Sequence, residues 1–164
     1  MRFTDKSVII TGRRRKDRKG LCYGLRQRRS KSLLARHRER GPCGERDSRH
    51  GGMAISMKCD VTDEKSVKAM VDESAKQFGT IDVLINNAAY FMTVWKGPFW
   101  QMAVDEFDKA MAVNVRGSWL CAKAVVPYMQ TQKKGEIIHI SSNVALTGSP
   151  NYIHYVASKA QSSP

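Results

Sequence analysis

The chain has 164 residues, 41% of them hydrophobic, and a formal net charge of +13. This length accommodates one core of ordinary size, so the sequence predicts a single domain over residues 1–164. It has no apolar run near the ~20 residues that a membrane span requires and no apolar centre of a secretion signal at its start, so we expect a cytoplasmic protein without membrane association.

The first 80 residues predict two strands and one helix. The β-branched run Ser7–Ile10 ends at Thr11-Gly12, which is typical of a buried strand entering a turn. Residues 54–58 are a second candidate strand, closed by Asp60-Val61. Thr62-Asp63-Glu64 is a helix start signal, and Gly79 ends the amphipathic stripe that follows, formed by Val67, Met70, Val71, Ala75 and Phe78.

Residues 13–50, between these two strands, form a strongly basic block. They carry 15 Lys or Arg against four acidic residues, whereas the rest of the chain carries 13 against 11. The block shows no helical or strand period that could pack against a sheet. Its composition predicts a disordered basic segment that supplies no second strand.

The second half predicts two further strands alternating with helices. Residues 81–85 run into Asn86-Asn-Ala-Ala89, residues 90–100 form an aromatic loop, residues 107–129 a packed helix, and residues 136–140 a strand. A loop at residues 147–150 precedes a helix from Tyr152 onward. Apolar strands alternating with helices predict an α/β fold with a parallel sheet covered on both faces. Ligands of such sheets lie beyond the carboxyl ends of the strands, where these polar turns fall.

Tyr155 and Lys159 are the strongest candidates for chemistry. Four residues make about one helical turn, so the phenol and the ammonium would share a face. A cation beside a phenol favours phenolate and lowers a pKa that starts near ~10. Such a pair can donate and accept a proton near neutral pH.

Together these segments resemble the short-chain dehydrogenase/reductase family. The resemblance covers residues 1–12 and roughly 52–160, and it depends on the joint spacing of six motifs: Val8-Ile-Ile-Thr-Gly12, Asp60-Val61, Asn86-Asn-Ala-Ala89, Asn114-Val-Arg-Gly117, Ile137-Ile-His-Ile-Ser-Ser142 and Tyr155-Val-Ala-Ser-Lys159. The resemblance implies a Rossmann-type doubly wound sheet. It also implies hydride transfer between NAD or NADP and a small alcohol or carbonyl substrate.

The resemblance also implies catalytic roles for four residues. Tyr155 would be the general acid/base on the substrate oxygen. Lys159 would lower the pKa of that phenol and hold the nicotinamide ribose. Ser142 would hydrogen-bond the substrate carbonyl, and Asn114 would orient a water-linked proton relay to Lys159.

The cofactor-binding positions that the resemblance implies lie at the strand ends. Asp60 and Val61 would contact the adenine, and Asn87 to Ala89 would pack beside the adenosine ribose. Ala88 is the middle residue of that range, and the remaining positions are Gly12, Tyr155 and Lys159. Ala89 stands where the family most often has glycine, and one extra methyl group is tolerable there. Family members are commonly homotetramers or homodimers, an arrangement in doubt for a chain cut short in the helix that carries Tyr155.

The basic block departs from the family pattern. The family has a glycine-rich turn after Thr11-Gly12 that holds the pyrophosphate, whereas this chain reads Arg13-Arg-Arg-Lys-Asp-Arg-Lys19, and Gly20 is the next glycine. A one-nucleotide offset permits the family's first helix, second strand and a ribose-binding Asp at position 36, which would favour NAD. We therefore hypothesise that residues 13–50 are read out of frame, and that the end of the chain is a second slip and truncation.

Two alternatives stay open at this point. A genuine basic insert would make the chain a non-catalytic nucleic-acid-binding or interaction protein, although the block lacks the aromatic residues of a single-strand binder. The chain could also be a fragment without function. With the block as written we predict poor folding and little activity, and a micromolar affinity for NADH or NADPH would contradict that prediction.

No metal site is expected. His139 and His154 lack partners at ligand spacing and are interpreted as packing or surface residues. The cysteines include no Cys-x-x-Cys pair, which argues against a zinc site and structural disulfides: they are Cys22, Cys43, Cys59 and Cys121. Trp95, Phe99 and Trp100 could line a substrate mouth, but a packed loop is the more common role of such residues.

Overall fold

A computed structural model of the chain describes residues 5–12, 30–36, 53–91 and 94–160. The strands are β1 (Ser7–Ile10), β2 (Lys31–Arg36), β3 (Met53–Lys58), β4 (Val83–Asn86) and β5 (Glu136–His139). The α-helices are α1 (Glu64–Phe78), α2 (Val104–Ala110), α3 (Gly117–Gln132), α4 (Val144–Thr147) and α5 (Ile153–Ala160). A 3-10 turn spans Phe99–Gln101, and a π-helical segment spans Met111–Arg116.

The five strands form one parallel sheet in the order β3-β2-β1-β4-β5. The chain moves outward from β1 through β2 to β3 and then crosses back to β4 on the other side of β1. This reversal of strand order creates a crevice at the carboxyl ends of β1 and β4, where doubly wound sheets bind ligands. The predicted α/β class and parallel sheet are confirmed.

Strand β2 corrects the prediction that the basic block supplies no strand. Lys31–Arg36 pairs with both β1 and β3, and Leu33 and Leu34 are fully buried. A central parallel strand is covered on both faces, so a run of only four small or apolar residues, Ser32 to Ala35, is sufficient to form it. The prediction was wrong because it used the average composition of residues 13–50, and this average hid the short apolar run. Residues 13–29 and 37–50, and with them the departure at the glycine-rich turn, lie outside the described residues.

Helix α1 begins and ends where the sequence predicts. The Asp63 side chain accepts hydrogen bonds from the backbone N–H groups of Lys65 and Ser66, which satisfies two donors of the first turn. Gly79 closes the helix with φ +78° in the left-handed region, and its N–H donates to Ala75 O. The buried stripe of α1 packs against α3 and the sheet.

Alternate residues of the strands pack into two apolar clusters on the two sides of the sheet. Ile9, Leu33 and Leu84 belong to the larger cluster, which includes the buried faces of α1 and α3. The smaller cluster consists of Val8, Ile10, Leu34, Val83 and Ile85. Among the described residues no helix is long and apolar enough to cross a bilayer. Strand β5 is an edge of the described sheet, with Ile138 partly exposed.

Candidate active site

Helix α5 carries Tyr155 and Lys159 on one face, as their spacing predicts. The Nζ atom of Lys159 lies 5.9 Å from the centroid of the Tyr155 ring. Both side chains are buried, with only 8% of Tyr155 and 5% of Lys159 exposed. The helix thus brings a phenol and an ammonium together in a largely dry environment.

The Lys159 ammonium is buried, and no carboxylate of the described residues pairs with it. Its Nζ donates a hydrogen bond of 2.6 Å to Ile140 O at the end of β5, and burial lowers the pKa of this lysine. No ion pair within the described ranges includes Lys159. An ammonium has three donors and a buried charge is costly when unpaired. Lys159 therefore has donor capacity for a polar ligand beside Tyr155.

The loop after β5 places Ser142 next to Ile140 and Ser141, which form hydrogen bonds with Lys159 of α5. Ser141 Oγ donates to Lys159 O at 3.1 Å, and Ile140 O accepts from Lys159 Nζ. Ser142 follows immediately, and its hydroxyl lies 3.4 Å from Asn143 Oδ1. In the described part of the chain no hydrogen bond joins Ser142 to Tyr155 or Lys159, so its hydroxyl is available at the same strand end.

Asn114 lies in the π-helical segment between α2 and α3 and is 3% exposed. Its Oδ1 accepts from Tyr90 N–H at 2.7 Å, and its Nδ2 donates to Ser158 Oγ at 2.8 Å. Ser158 Oγ in turn donates to Tyr155 O at 2.8 Å. These bonds connect Asn114 to the backbone of α5. The water-linked relay to Lys159 that the resemblance implies stays a prediction.

The sequence carries no local signal for the π-helical segment. Its residues, Met111 to Arg116, lie within the run 107–129 that reads as one packed helix. A π-turn inserts an extra residue per turn and is frequent at functional sites. Here the wider turn contains Asn114, whose backbone carbonyl accepts from Ser118 Oγ at 2.8 Å.

The crevice between β1 and β4 is closed at its base by Thr11 and Asn87. Thr11 Oγ1 accepts from the N–H groups of Asn87 at 3.2 Å and Ala88 at 3.1 Å, while Asn87 Nδ2 donates to Thr11 O at 3.0 Å. Gly12 has φ +73°, and a Cβ there would lie 2.1 Å from Ala88 Cα. Only glycine permits this approach of the two strand ends.

Asp60 and Val61 lie at the carboxyl end of β3, on the same edge of the sheet. Asp60 Oδ1 accepts from Thr62 N–H at 2.9 Å and Thr62 Oγ1 at 2.8 Å, so the carboxylate organises its own turn. Val61 packs on Gly117, where a Cβ would lie 2.8 Å from Val61 Cγ2. Ala89, by contrast, is exposed at the end of the Asn-Asn-Ala-Ala turn. The structure therefore brings all four strand ends to one edge, as predicted.

Sequence reasoning missed several residues around Tyr155. The Phe91 ring lies 4.5 Å from the Tyr155 ring, centroid to centroid, and 6.4 Å from the Tyr152 ring. Ser158 links Asn114 to Tyr155, and Tyr90 links Asn114 to Glu106. The position of Phe91, two residues after the Asn-Asn-Ala-Ala turn, was a usable signal, whereas nothing in the sequence indicates Glu106.

The aromatic loop lines a cavity on another side of α5. Phe99 and Trp100 pack edge to face at 5.3 Å, and both are largely exposed. The cavity has a volume of about 430 Å³ and is lined by Pro98, Phe99, Trp100, Ser149, Pro150, Asn151, Ile153 and Val156. Tyr155 is not among these residues, and neither is Trp95. The suggestion that the loop forms the substrate mouth stays a prediction.

His154 is a packing residue in this structure. It is fully buried, its two ring nitrogens have no hydrogen-bond partner in the described part of the chain, and burial lowers its pKa. His139 lies at the end of β5, with its Nδ1 3.5 Å from Asn86 Nδ2. The described residues include no cluster of three His, Cys, Asp or Glu side chains placed to hold a metal ion.

A sequence profile described as short chain dehydrogenase matches residues 6–162. The chain belongs to the short chain dehydrogenase family. Similar curated members of the family include 2-(R)-hydroxypropyl-CoM dehydrogenase of Xanthobacter autotrophicus, which is 41% identical over 105 residues. That match covers 64% of this chain and 42% of the relative. The 3-oxoacyl-(acyl-carrier-protein) reductase of Staphylococcus aureus is 36% identical over 107 residues, which is 65% of this chain and 42% of the reductase.

Solved structures of the family have the same fold. The crystal structure of NAD+-bound xylitol dehydrogenase matches with a TM-score of 0.76 and 28% identity over 98% of this chain and 62% of that chain. The crystal structure of levodione reductase matches with a TM-score of 0.81 and 26% identity over 96% of this chain and 62% of that chain. The predicted Rossmann-type fold is confirmed. The chain spans less than two thirds of the length of these relatives.

Proposed function

We propose that this member of the short chain dehydrogenase family is an oxidoreductase that transfers a hydride between a nicotinamide cofactor and a small alcohol or carbonyl compound. The observation that carries the proposal is the buried pair Tyr155 and Lys159, with an ammonium that no carboxylate of the described residues neutralises. Buried ionisable groups of this kind are typical of active sites. The pair lies at the edge of the sheet where doubly wound folds bind ligands.

The described residues fit the nicotinamide end of a dinucleotide. Lys159 has donors left for ribose hydroxyls, and the Gly12–Ala88 contact lets backbone line the crevice between β1 and β4. Asp60 lies on the same edge for the adenine end. When bound, the cofactor supplies or accepts the hydride. Residues 13–19, where the family has its pyrophosphate-binding turn, lie outside the described residues.

The chain's own residues divide the remaining work. Tyr155 Oη would donate a proton to a substrate oxygen during reduction and accept it during oxidation. Lys159 would stabilise negative charge on the Tyr155 oxygen, because an ammonium at short range in a buried site interacts more strongly than in water. Ser142 would hydrogen-bond the substrate oxygen from the end of β5. Ring contact with Phe91 fixes the orientation of the Tyr155 phenol.

NAD is proposed as the cofactor in preference to NADP. One observation supports this choice: the xylitol dehydrogenase with a TM-score of 0.76 was solved with NAD+ bound.

The test compares the purified chain with Tyr155→Phe. The test substrates are taken from the names of the relatives. Oxidation is tested with xylitol and NAD+ or NADP+, and reduction with levodione or a 3-oxoacyl thioester and NADH or NADPH. Turnover is measured from the absorbance of the reduced cofactor. We expect kcat to fall about 10²- to 10⁴-fold in Tyr155→Phe, the usual contribution of general acid–base catalysis. Fluorescence titration should show that both proteins bind NADH, and such binding would contradict the poor folding and little activity that the basic block predicts.

Tyr128→Phe is the matched control, because the Tyr128 hydroxyl donates to Asp72 at 2.8 Å between α3 and α1, away from the site. It should retain the turnover of the unmodified chain. Equal turnover by the unmodified chain and Tyr155→Phe would contradict the assignment of the acid/base. Neither turnover nor cofactor binding by the unmodified chain would contradict the proposed function.

A further inference from the structure

A continuous set of hydrogen bonds begins at Glu106 in α2, outside the residues that the family motifs cover. The Tyr90 hydroxyl donates to Glu106 Oε2 at 2.9 Å and lies 3.1 Å from Oε1. Because the acceptor is ionised, this is a charge-assisted hydrogen bond of the stronger class. The Glu106 side chain is 24% exposed, so it is partly shielded from competing water.

The backbone of Tyr90 forms hydrogen bonds with the Asn114 side chain. Tyr90 N–H donates to Asn114 Oδ1 at 2.7 Å, and Asn114 Nδ2 lies 3.4 Å from Tyr90 O. The amide oxygen therefore faces a donor and the amide nitrogen faces an acceptor. A flipped amide would place like groups against each other on this side, so the position of Tyr90 fixes the orientation of Asn114.

The last two bonds reach the catalytic helix. Asn114 Nδ2 donates to Ser158 Oγ at 2.8 Å, and Ser158 Oγ donates to Tyr155 O at 2.8 Å. Asn114 is 3% exposed and Ser158 fully buried. Buried polar networks are rigid when every member is satisfied and costly when one member is lost. Phe91, the next residue after Tyr90, meanwhile stacks on the Tyr155 ring.

We infer that Glu106 is a positioning residue for the Tyr155–Lys159 site: by holding Tyr90, it fixes Asn114 and, through Ser158, the turn of α5 that carries Tyr155. This inference rests on the proposed function. Glu106 touches none of the reacting groups. Its effect passes through three intermediate residues, so its loss should lower kcat by loosening the geometry while cofactor affinity changes little.

The test uses Glu106→Ala, Tyr90→Phe, their double variant and Glu106→Gln. Glu106→Ala should lower kcat about tenfold at saturating NADH and levodione, with the KM for NADH within about twofold. Tyr90→Phe removes the same bond from its other end, so the double variant should be no slower than Glu106→Ala. Glu106→Gln keeps an oxygen acceptor for the Tyr90 hydroxyl and should restore most of the kcat.

A second readout needs no turnover. Hydrogen exchange of the Tyr90 amide, measured by NMR, should accelerate in Glu106→Ala and in Tyr90→Phe, because its acceptor on Asn114 is held less firmly. Asp105→Ala is the matched control: it removes one negative charge from the same helix together with an ion pair to Lys109 of 2.8 Å, but no bond to Tyr90. It should leave both the exchange rate and kcat unchanged.

The outcomes separate the two proposals. Unchanged amide exchange and unchanged kcat in Tyr90→Phe, a variant that loses a single hydroxyl and keeps its ring, would overturn the positioning role and leave the proposed function intact. A kcat that Glu106→Gln does not restore would also overturn it. Absence of both turnover and NADH binding by the unmodified chain would overturn the proposed function, and the positioning role with it.

Discussion

The two ends of the parallel sheet differ in how their buried charged side chains are neutralised. At the amino end, the Asp82 carboxylate accepts from Ser7 N–H at 3.0 Å and Thr80 Oγ1 at 3.1 Å, and it lies 3.6 Å from Lys6 Nζ and 3.5 Å from Lys134 Nζ. At the carboxyl end, the Lys159 ammonium donates to one backbone carbonyl and is in no ion pair of the described residues.

The pKa shifts of Asp82 and Lys159 suggest different roles for the two charges, stability at the amino end of the sheet and chemistry at the carboxyl end. Burial acts to raise the pKa of Asp82, but the hydrogen bonds from Ser7 and Thr80 and the charges of Lys6 and Lys134 outweigh it and hold that pKa below its usual value. At Lys159 burial acts without such compensation and lowers the pKa. A satisfied charge strengthens the fold, whereas an uncompensated one is a cost that a site tolerates for its chemistry.

The largest expected effect is a loss of stability from Gly12→Ala at the carboxyl end. The new Cβ would lie 2.1 Å from Ala88 Cα and 2.6 Å from Ala88 N, and φ +73° is unfavourable for any L side chain. We expect a loss of about 4 kcal/mol in the free energy of unfolding, from steric strain and backbone strain together. Urea denaturation followed by circular dichroism measures it.

Gly79→Ala is the control for this variant. Gly79 has nearly the same backbone conformation, φ +78°, but a Cβ there would meet nothing within 4 Å. It should cost only the left-handed penalty of about 1–2 kcal/mol. Equal losses for the two variants would show that the contact between Gly12 and Ala88 is not as tight as described, and the crevice between β1 and β4 would then be wider.

The sequence predicted elements with local signals and failed where tertiary context decides. Helix α1 was predicted from its ends because Asp63 and Gly79 satisfy backbone groups by local geometry alone. Strand β2 was missed because a short buried run is defined by its neighbours β1 and β3 and not by its basic surroundings.

The same division holds in the candidate site. Tyr155 and Lys159 could be paired from one helical turn. Two other contacts could not be predicted, because each joins separate elements of the fold. Phe91 and Tyr155 are 64 positions apart in the sequence, and Tyr90 and Glu106 are 16 apart. The sequence also carries no local signal for the π-turn around Asn114, because residues 107–129 read as one helix.

A smaller loss is expected from Asp82→Asn at the amino end. Asparagine keeps the shape but removes the negative charge that two lysines and two hydrogen-bond donors face. We expect a loss of about 2 kcal/mol at pH 7, the scale of a hydrogen bond to a charged group, because Lys6 and Lys134 are too exposed to add much. Denaturation midpoints of the two proteins at pH 7 and near pH 3 measure the effect.

The pH dependence of this difference has a definite sign. The folded-state pKa of Asp82 is depressed, so its contribution is fully present above the unfolded value of about 3.9 and is lost as pH falls through the folded pKa. The advantage of the unmodified chain over Asp82→Asn should therefore shrink in acid. A difference that stays constant from pH 7 to pH 3 would mean that packing, and not charge, stabilises this end of the sheet.

The smallest effect has the opposite sign and concerns Lys159→Met. Methionine fills a similar volume without a charge, at the expense of the hydrogen bond to Ile140 O. Since replacing buried charge by apolar groups is often neutral or stabilising, we expect a gain of about 1 kcal/mol at pH 7 and loss of turnover. Because the folded pKa is lowered, the unfolded chain binds the proton more readily, and the stability of the unmodified chain rises with pH between the folded pKa and about 10.4.

The gain from Lys159→Met should thus be greatest at neutral pH and disappear as pH rises through that window. Denaturant unfolding at pH 7 and pH 10 tests both points, with Lys123→Met as the control for removing an exposed lysine that pairs with Glu64 at 2.8 Å. A Lys159→Met variant less stable than the unmodified chain at pH 7 would mean that the bond to Ile140 O outweighs the cost of the buried charge. In that case buried charge would stabilise both ends of the sheet, and the contrast between them would no longer support the candidate active site.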